Sequence, residues 1–280
     1  MVQVTEKSVK EKRQQLVDII KDMVSVIVAY SGGVDSALLA AIAHEILDEK
    51  ALAVTANSPS LAPSELEDAI ALATDLGIHY EIIETKETER EDYQANNPNR
   101  CFFCKDELYS HLIKYADTQG YAAITNGTNV DDLGDFRPGL EAAKQYGVRS
   151  PLVEANLTKQ DIRDLSKEMG LPTWDKPAQA CLSSRIPYGT TVTVEALTRI
   201  AKAEYFLRSK GFRQLRVRHH DTIARIEVEA KDFLTLMSNP LRDEITEYFK
   251  SIGYSYVTMD MNGFRSGSLN EILTTFKKKK

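Results

Sequence analysis

One hexapeptide limits what this chain can fold into more than any other stretch. Ser31-Gly32-Gly33-Val34-Asp35-Ser36 stands between a continuous apolar run, Val24 to Tyr30, and a helical apolar pattern, Ala37 to Leu47. An apolar run closed by glycines and reopened as a helix reads as a strand–turn–helix unit. The two glycines let the backbone turn sharply and approach a ligand closely. Backbone N–H groups and the helix N-terminus then present partial positive charge to an anion, phosphate above all. Ser31 and Ser36 add hydroxyl donors. Asp35 is out of place in a phosphate cradle unless a divalent cation neutralises it, which points to Mg²⁺. The loop lacks the spacing and lysine of a Walker A motif, and it is not GxGxxG.

The rest of the first two thirds repeats the same unit. Helical spacing over 9–23, 64–77, 105–120 and 158–170 alternates with apolar segments at 51–57, 78–83 and 121–125. This order predicts right-handed βαβ crossovers and a parallel sheet covered on both faces, an α/β fold. Thr158 reads as a helix N-cap, and Gly77, Gly120 and Gly170 as helix ends. The pattern breaks between Pro172 and Pro177. A long helix over 192–211, two alternating strands (214–220 and 222–228), a helix over 241–254 and a strand over 255–261 then predict a smaller α+β domain. The expected domains are 1–184 and 185–280.

The chain is 280 residues long, with 42% hydrophobic residues and a net charge of −6. No apolar stretch reaches bilayer length, and the charged start carries no signal-peptide core. The expectation is a soluble cytoplasmic protein with no membrane partner. The acidic balance also disfavours a nucleic-acid partner. The lysine run 277–280 reads as a solvated tail.

Open α/β sheets bind ligands beyond the carboxyl ends of their strands. That adds Ala29, Thr55, Ala56, Asn57, Asn126, Gly127 and Thr128 to Ser31–Ser36 as candidate contacts to the phosphate-bearing ligand. The chain has only three cysteines. Cys101 and Cys104, in RCFFCK, lie one turn apart at a helix start, which favours thiolates; Cys181 lies far along the chain, in PAQACLSSR. An odd count argues against a disulfide framework. Four readings stay open: unrelated buried thiols, a redox-active CFFC pair, a zinc site with His79 or His111 as a fourth ligand, and a [4Fe-4S] cluster on three thiolates with one iron open. Ser31–Ser36 resembles the PP-loop of adenylating enzymes, and that resemblance favours the last, because adenylation and sulfur delivery form one coherent reaction.

The hexapeptide resembles the PP-loop signature of ATP pyrophosphatases. Nearly end to end the chain resembles the LarE family, on SGGVDS, DDLGDFRPGL (131–140), SSRIPYGT (183–190), LRVRHHDTIARIE (215–227) and GFRSGSLN (263–270). The resemblance implies a PP-loop, adenine nucleotide alpha hydrolase-like fold. It implies ATP-dependent sulfur transfer to pyridinium-3,5-biscarboxylic acid mononucleotide, for nickel-pincer nucleotide biosynthesis. One branch of that family sacrifices a cysteine just before the SSR motif; here that position is Ala180, with Cys181 beside it. The chain therefore resembles the three-cysteine branch, in which a cluster on Cys101, Cys104 and Cys181 presents sulfide.

In that chemistry Asp35, with Asp131 or Asp132, is the candidate Mg²⁺ site. Lys105 and Arg185 are candidates to steady phosphate or carboxylate charge, with a solvated first-turn lysine the alternative for Lys105; Arg216 and Arg218, projecting from one strand face, either bind a phosphate of the substrate or a partner or form a solvated face. The expected partners are a small-molecule nucleotide, a sulfide donor and further copies of the chain in a homo-oligomer. The rival expectations are a PP-loop tRNA thiolase, an amide-forming PP-loop ligase, and an ATP-binding module with a structural metal.

Overall fold

The computed structural model describes residues 7–134 and 137–271. The lysine tail, and Asp135 and Phe136 of the 131–140 motif, lie outside the described residues. The strands are β1 (Val26–Ala29), β2 (Ala51–Asn57), β3 (Tyr80–Glu84), β4 (Ala123–Asn126), β5 (Leu215–His220), β6 (Ile223–Val228) and β7 (Tyr256–Met259). The helices are α1 (Val9–Asp22), α2 (Val34–Leu47), α3 (Pro63–Asp75), α4 (Glu91–Gln94), α5 (Arg100–Gln119), α6 (Gly139–Gln145), α7 (Pro151–Glu154), α8 (Lys159–Glu168), α9 (Val194–Ser209), α10 (Phe233–Met237) and α11 (Leu241–Ser251). Among the described residues no helix is long and apolar enough to cross a membrane.

Contacts divide the chain into two compact units. Among the described residues, one holds 7–58, 64–87, 99–134 and 137–179; the other holds 59–63, 88–98 and 180–271.

The first unit carries the parallel sheet that the alternation predicts, in the order β3-β2-β1-β4. β1 and the first part of β2 are apolar runs because both of their faces are covered, whereas the edge strand β3 carries two glutamates and is partly exposed. Val26 and Val28 of β1 join Ala51 and Ala53 of β2 in one buried cluster with Leu16, Ile20, Leu38 and Ile42. Ile27, Leu52 and Val54, one residue out of step, enter a second cluster with Leu108, Leu112 and Ile124. Each such fully buried Leu or Ile stabilises by about 1.5–3 kcal/mol relative to exposure. The chain steps outward from β1 to β2 to β3 and then returns to the far side of β1 as β4. The direction of winding reverses between β1 and β4, and at such a reversal the loops beyond the carboxyl ends part to leave a crevice.

Local signals set the helix ends. Ser8 and Thr158 each form a capping box, with Glu11 and Asp161. Both caps return one bond for each orphan amide they accept. β1 is shorter than the apolar run, because Val24 turns at a positive φ of 66° and is exposed. A short parallel bridge, Thr125 with Arg149, extends the sheet beyond β4.

The second unit is built on a three-stranded sheet, β5-β6-β7. The β5/β6 pair is antiparallel and the β6/β7 pair parallel. Ala203 and Leu207 of α9 and Phe249 of α11 share its core with Val217, Ile226 and Val228.

Candidate active site

The hexapeptide leaves β1 and turns into the N-terminus of α2. Gly32 has a φ of +67°, and a Cβ there would sit 2.8 Å from the Cβ of Ala69. Glycine is therefore required twice over, by conformation and by space. Gly33 is the helix N-cap without a side-chain bond, so the first-turn N–H groups have no local side-chain acceptor at that position. Ser36 closes the loop on itself: its Oγ accepts from Ser31 N–H at 3.1 Å and donates to the Gly33 carbonyl at 3.2 Å. Ala29 is the last residue of β1, Val34 is buried, and Ser31 is exposed.

Gly127 follows β4 and lies against the start of α2. A Cβ on it would come 2.9 Å from Ser36 N and 3.2 Å from Asp35 Cβ. This contact sets the two loops of the switch point side by side. Asn126 fixes the second loop, accepting from Thr128 N–H and from the Ser150 hydroxyl, each at 3.0 Å. Thr55 of β2 donates to the Tyr30 carbonyl at 2.9 Å, and Asn57, after Ala56 at the strand end, donates to Glu84 at 2.8 Å.

Asp35 lies near Asp132 and is linked to Asp131 through Lys159, and among the described residues the three carboxylates do not converge to metal-ligand spacing. Asp35 Oδ1 accepts from Asn129 Nδ2 at 3.1 Å and from Lys159 Nζ at 2.6 Å. The pair is partly open, with Lys159 34% and Asp35 23% exposed. Asp132 is buried, accepts from Asn129 N–H at 3.1 Å and pairs with Arg137 at 2.7 Å. Burial pushes its carboxyl above the usual range, and the nearby Asp35 charge adds to the rise. Asp131 is exposed and accepts the Lys159 backbone N–H at 2.7 Å. The donor set is all carboxylate oxygen, the type that hard cations such as Mg²⁺ take.

Cys101 lies in the first turn of α5 and is exposed, Cys104 follows in the next turn and is half-buried, and neither is in a disulfide. Lys105 lies next to them, its ammonium 5.9 Å from the Tyr109 ring. Gly139 allows α6 to approach this turn: a Cβ there would lie 2.9 Å from Lys105 Cγ and 3.5 Å from the Cys101 carbonyl. Within this unit, among the described residues, His79 stands with His44 and Asp48. His111 contacts Glu107, one helical turn away, at 3.4 Å.

The second unit carries Cys181 and the arginines. Cys181, half-buried, caps a single 3₁₀ turn, Leu182–Arg185. Arg185 is buried beneath this turn and donates to the carbonyls of Ala180 (2.6 Å) and Cys181 (3.0 Å). Its other nitrogens form a two-point bridge to Glu204, at 2.8 and 2.9 Å. Arg218 makes a similar bridge to Glu227 and donates to the Ser184 carbonyl at 2.8 Å. Arg216 lies over the Phe264 ring, 5.1 Å from its centre. Burial, and then the Arg185 charge, pull its pKa down to about 10. Arg216 and Arg218 share a strand face as their alternation predicts, and that face is buried, each residue being 7% exposed.

Four participants escaped the sequence reading: Lys159, Asn129, Gly139 and Glu204. Lys159 follows a recognised N-cap, Thr158, yet a lysine at a helix start carries no signal of its own. Gly139 lay in a recognised motif, and only the close approach of α6 to α5 gives it a purpose.

Residues 5–116 match the NAD synthase family. An uncharacterised protein of Synechocystis sp. is 45% identical over 95% of this chain and 99% of its own. The pyridinium-3,5-bisthiocarboxylic acid mononucleotide synthase of Lactiplantibacillus plantarum is 40% identical over 94% of this chain and 95% of its own. An uncharacterised protein of Methanocaldococcus jannaschii is 31% identical over 86% of this chain and 91% of its own. A PP-loop sheet and likeness across nearly the whole chain lead to one assignment: this protein belongs to the LarE family of PP-loop enzymes.

Proposed function

We propose that this enzyme converts the carboxylates of pyridinium-3,5-biscarboxylic acid mononucleotide to thiocarboxylates, consuming ATP and releasing AMP and pyrophosphate, in nickel-pincer nucleotide biosynthesis. One observation carries the reading: a synthase of the bisthiocarboxylic acid mononucleotide resembles this chain over nearly its whole length. The glycine-bent loop facing Gly127 supports an anion cradle, as adenylation requires.

A carboxylate is a poor electrophile, and its oxygen is a poor leaving group. Attack of the carboxylate oxygen on the α-phosphorus of ATP expels pyrophosphate and leaves an acyl adenylate. The N–H groups at Gly33–Ser36 and the Ser31 and Ser36 hydroxyls hold the pyrophosphate. A sulfide then attacks the acyl carbon, and AMP departs with the former carboxylate oxygen. Two carboxylates require two rounds.

By donor type Asp35, with Asp131 and Asp132, suits Mg²⁺, which would offset charge on the phosphates. Cys101, Cys104 and Cys181 are the residues that would hold a [4Fe-4S] cluster, and Cys101, next to the start of its helix, is the one whose thiolate that helix end favours most. The cluster would supply the sulfide for the transfer. Arg216 is our candidate for recognising the nucleotide phosphate, whereas the Arg218 nitrogens are already committed to Glu227, Ser184 and Ser268. We further propose that the enzyme is a homo-oligomer and works in the cytoplasm.

The test is an anaerobic assay of the purified chain with ATP, Mg²⁺, a sulfide source and the biscarboxylic acid mononucleotide. AMP and pyrophosphate are expected to form only with the mononucleotide, whose mass rises by one oxygen-to-sulfur exchange per round. ADP and phosphate as products, or nucleotide turnover indifferent to the mononucleotide, would sink the reading. Iron and acid-labile sulfide in equal amount, both lost in Cys101→Ala, are expected; zinc without sulfide would remove the cluster from it.

A further inference from the structure

The edge of the sheet unit away from the nucleotide loop holds a second cluster of donor atoms. His44 sits in the last turn of α2, Asp48 caps that helix one turn later, and His79 directly precedes β3. One ring nitrogen from each histidine and a carboxylate oxygen of Asp48 all lie within 4.8 Å of one another. The imidazoles meet edge to face with ring centres 5.6 Å apart, and His79 Nε2 is 4.0 Å from Asp48 Oδ1. We propose that His44, Asp48 and His79 bind a divalent transition-metal ion of the zinc class, which ties the end of α2 to the start of β3.

The backbone holds each ligand in place before any ion arrives. Asp48 donates its N–H to the His44 carbonyl as the helix cap, with φ at 49°. The His79 carbonyl accepts from Ala53 N–H at 2.8 Å, which extends the β2–β3 ladder. His44 Nδ1 is buried without a hydrogen-bond partner among the described residues. The end of α2 adds the negative pole of the helix, which favours a cation.

The donor type selects the ion. Two imidazoles and one carboxylate suit zinc and its neighbours, whereas Mg²⁺ and Ca²⁺ take oxygen. Ligand bonds of about 2.0–2.1 Å put tetrahedral donors about 3.4 Å apart. The side chains of Asp48 and His79 are 81% and 47% exposed, so modest rotations close the remaining gap and water fills the open position.

The site is separate from the candidate active site. All four strands are parallel, with the SGGVDS loop at their carboxyl ends. α2 runs back from that loop, and the helical rise from Ser36 to His44 is about 12 Å. The role is that of a staple, independent of sulfur transfer.

The test uses the full chain with Cys101, Cys104 and Cys181 changed to Ser, which silences the thiols. Zn²⁺ binding is measured by equilibrium dialysis after chelator treatment, alongside thermal unfolding with and without Zn²⁺. The parent is expected to bind one ion and to unfold at higher temperature with it. His79→Gln and Asp48→Asn change exposed side chains, and each is expected to weaken binding at least about tenfold and to abolish the thermal shift. Parent-like affinity in both variants, or no Zn²⁺ uptake by the thiol-free parent, would overturn the proposal. A wild-type chain that fails in sulfur transfer leaves these outcomes unchanged.

Discussion

The Asp35–Lys159 pair of the sheet unit and the Glu204–Arg185 pair of the second unit use the same charges in opposite ways. Lys159 reaches Asp35 at a partly open position, on a flexible stem, beside a loop shaped for an anion. Arg185 and Glu204 are 2% and 4% exposed and meet through two parallel bonds. Burial works to raise the Glu204 carboxyl; the charge and bonds of Arg185, then Arg216 and the Val217 N–H, outweigh it and hold the group below the usual range. A lysine ammonium is a point charge that changes partners readily, whereas the arginine fork is fixed in direction. The first pair is suited to exchange its partner during a reaction. The second is a strut that fixes the Cys181 turn through the carbonyls of Ala180 and Cys181.

Glu204→Gln gives the sharpest break. It leaves Arg185 buried with one charge uncompensated, and removing one member of such a pair costs about 3–5 kcal/mol. A large fall in the midpoint of thermal or denaturant unfolding is expected. An unfolding midpoint within error of wild type would mean that Arg185 is not a strut and that the contrast between the pairs is false.

Lys159→Met addresses the other pair. An exposed ion pair is worth about 0–1 kcal/mol, so stability should hardly change. The cation beside the anion cradle is lost, and a charge-assisted contact of about 1.5–3 kcal/mol in the reaction predicts a fall in kcat/KM for ATP of roughly tenfold to a hundredfold. Steady-state kinetics at varied ATP checks this. A variant that unfolds early but turns over normally would reverse the roles assigned to the two pairs.

The contrast also explains what could be read from the residues alone. The sheet was legible because Val26–Ala29 and Ala51–Val54 are apolar without alternation, as a strand covered on both faces must be. The loop was legible because Gly32 serves a local turn, and local turns leave a signature in adjacent residues. Lys159 was not, because its partner lies 124 positions away and its own neighbours describe only a helix start. The same holds for Arg216 and Arg218. Strand alternation puts them on one face, but only their partners determine that the face is buried and charged rather than solvated. The segments 59–63 and 88–98 belong with the second unit for a similar reason: Tyr93 reaches Ser183 and Asn96 bonds the Pro187 and Thr190 carbonyls, contacts that no local pattern announces.

The smallest expected effect concerns Asp132, which joins the acidic loop to Arg137. Its folded pKa is raised above the ordinary 3.8, with burial as the first cause. Between that ordinary value and the raised one, the folded state binds more protons than the unfolded chain. Stability therefore declines as pH rises through this window, by the sign of the proton linkage. Asp132→Asn removes the titration but keeps an acceptor for the Asn129 N–H and a neutral contact for Arg137. The variant's unfolding midpoint, followed across mildly acidic pH, should lose the part of the decline that Asp132 contributes. An identical pH profile in wild type and variant would show that Asp132 ionises as an ordinary surface carboxylate.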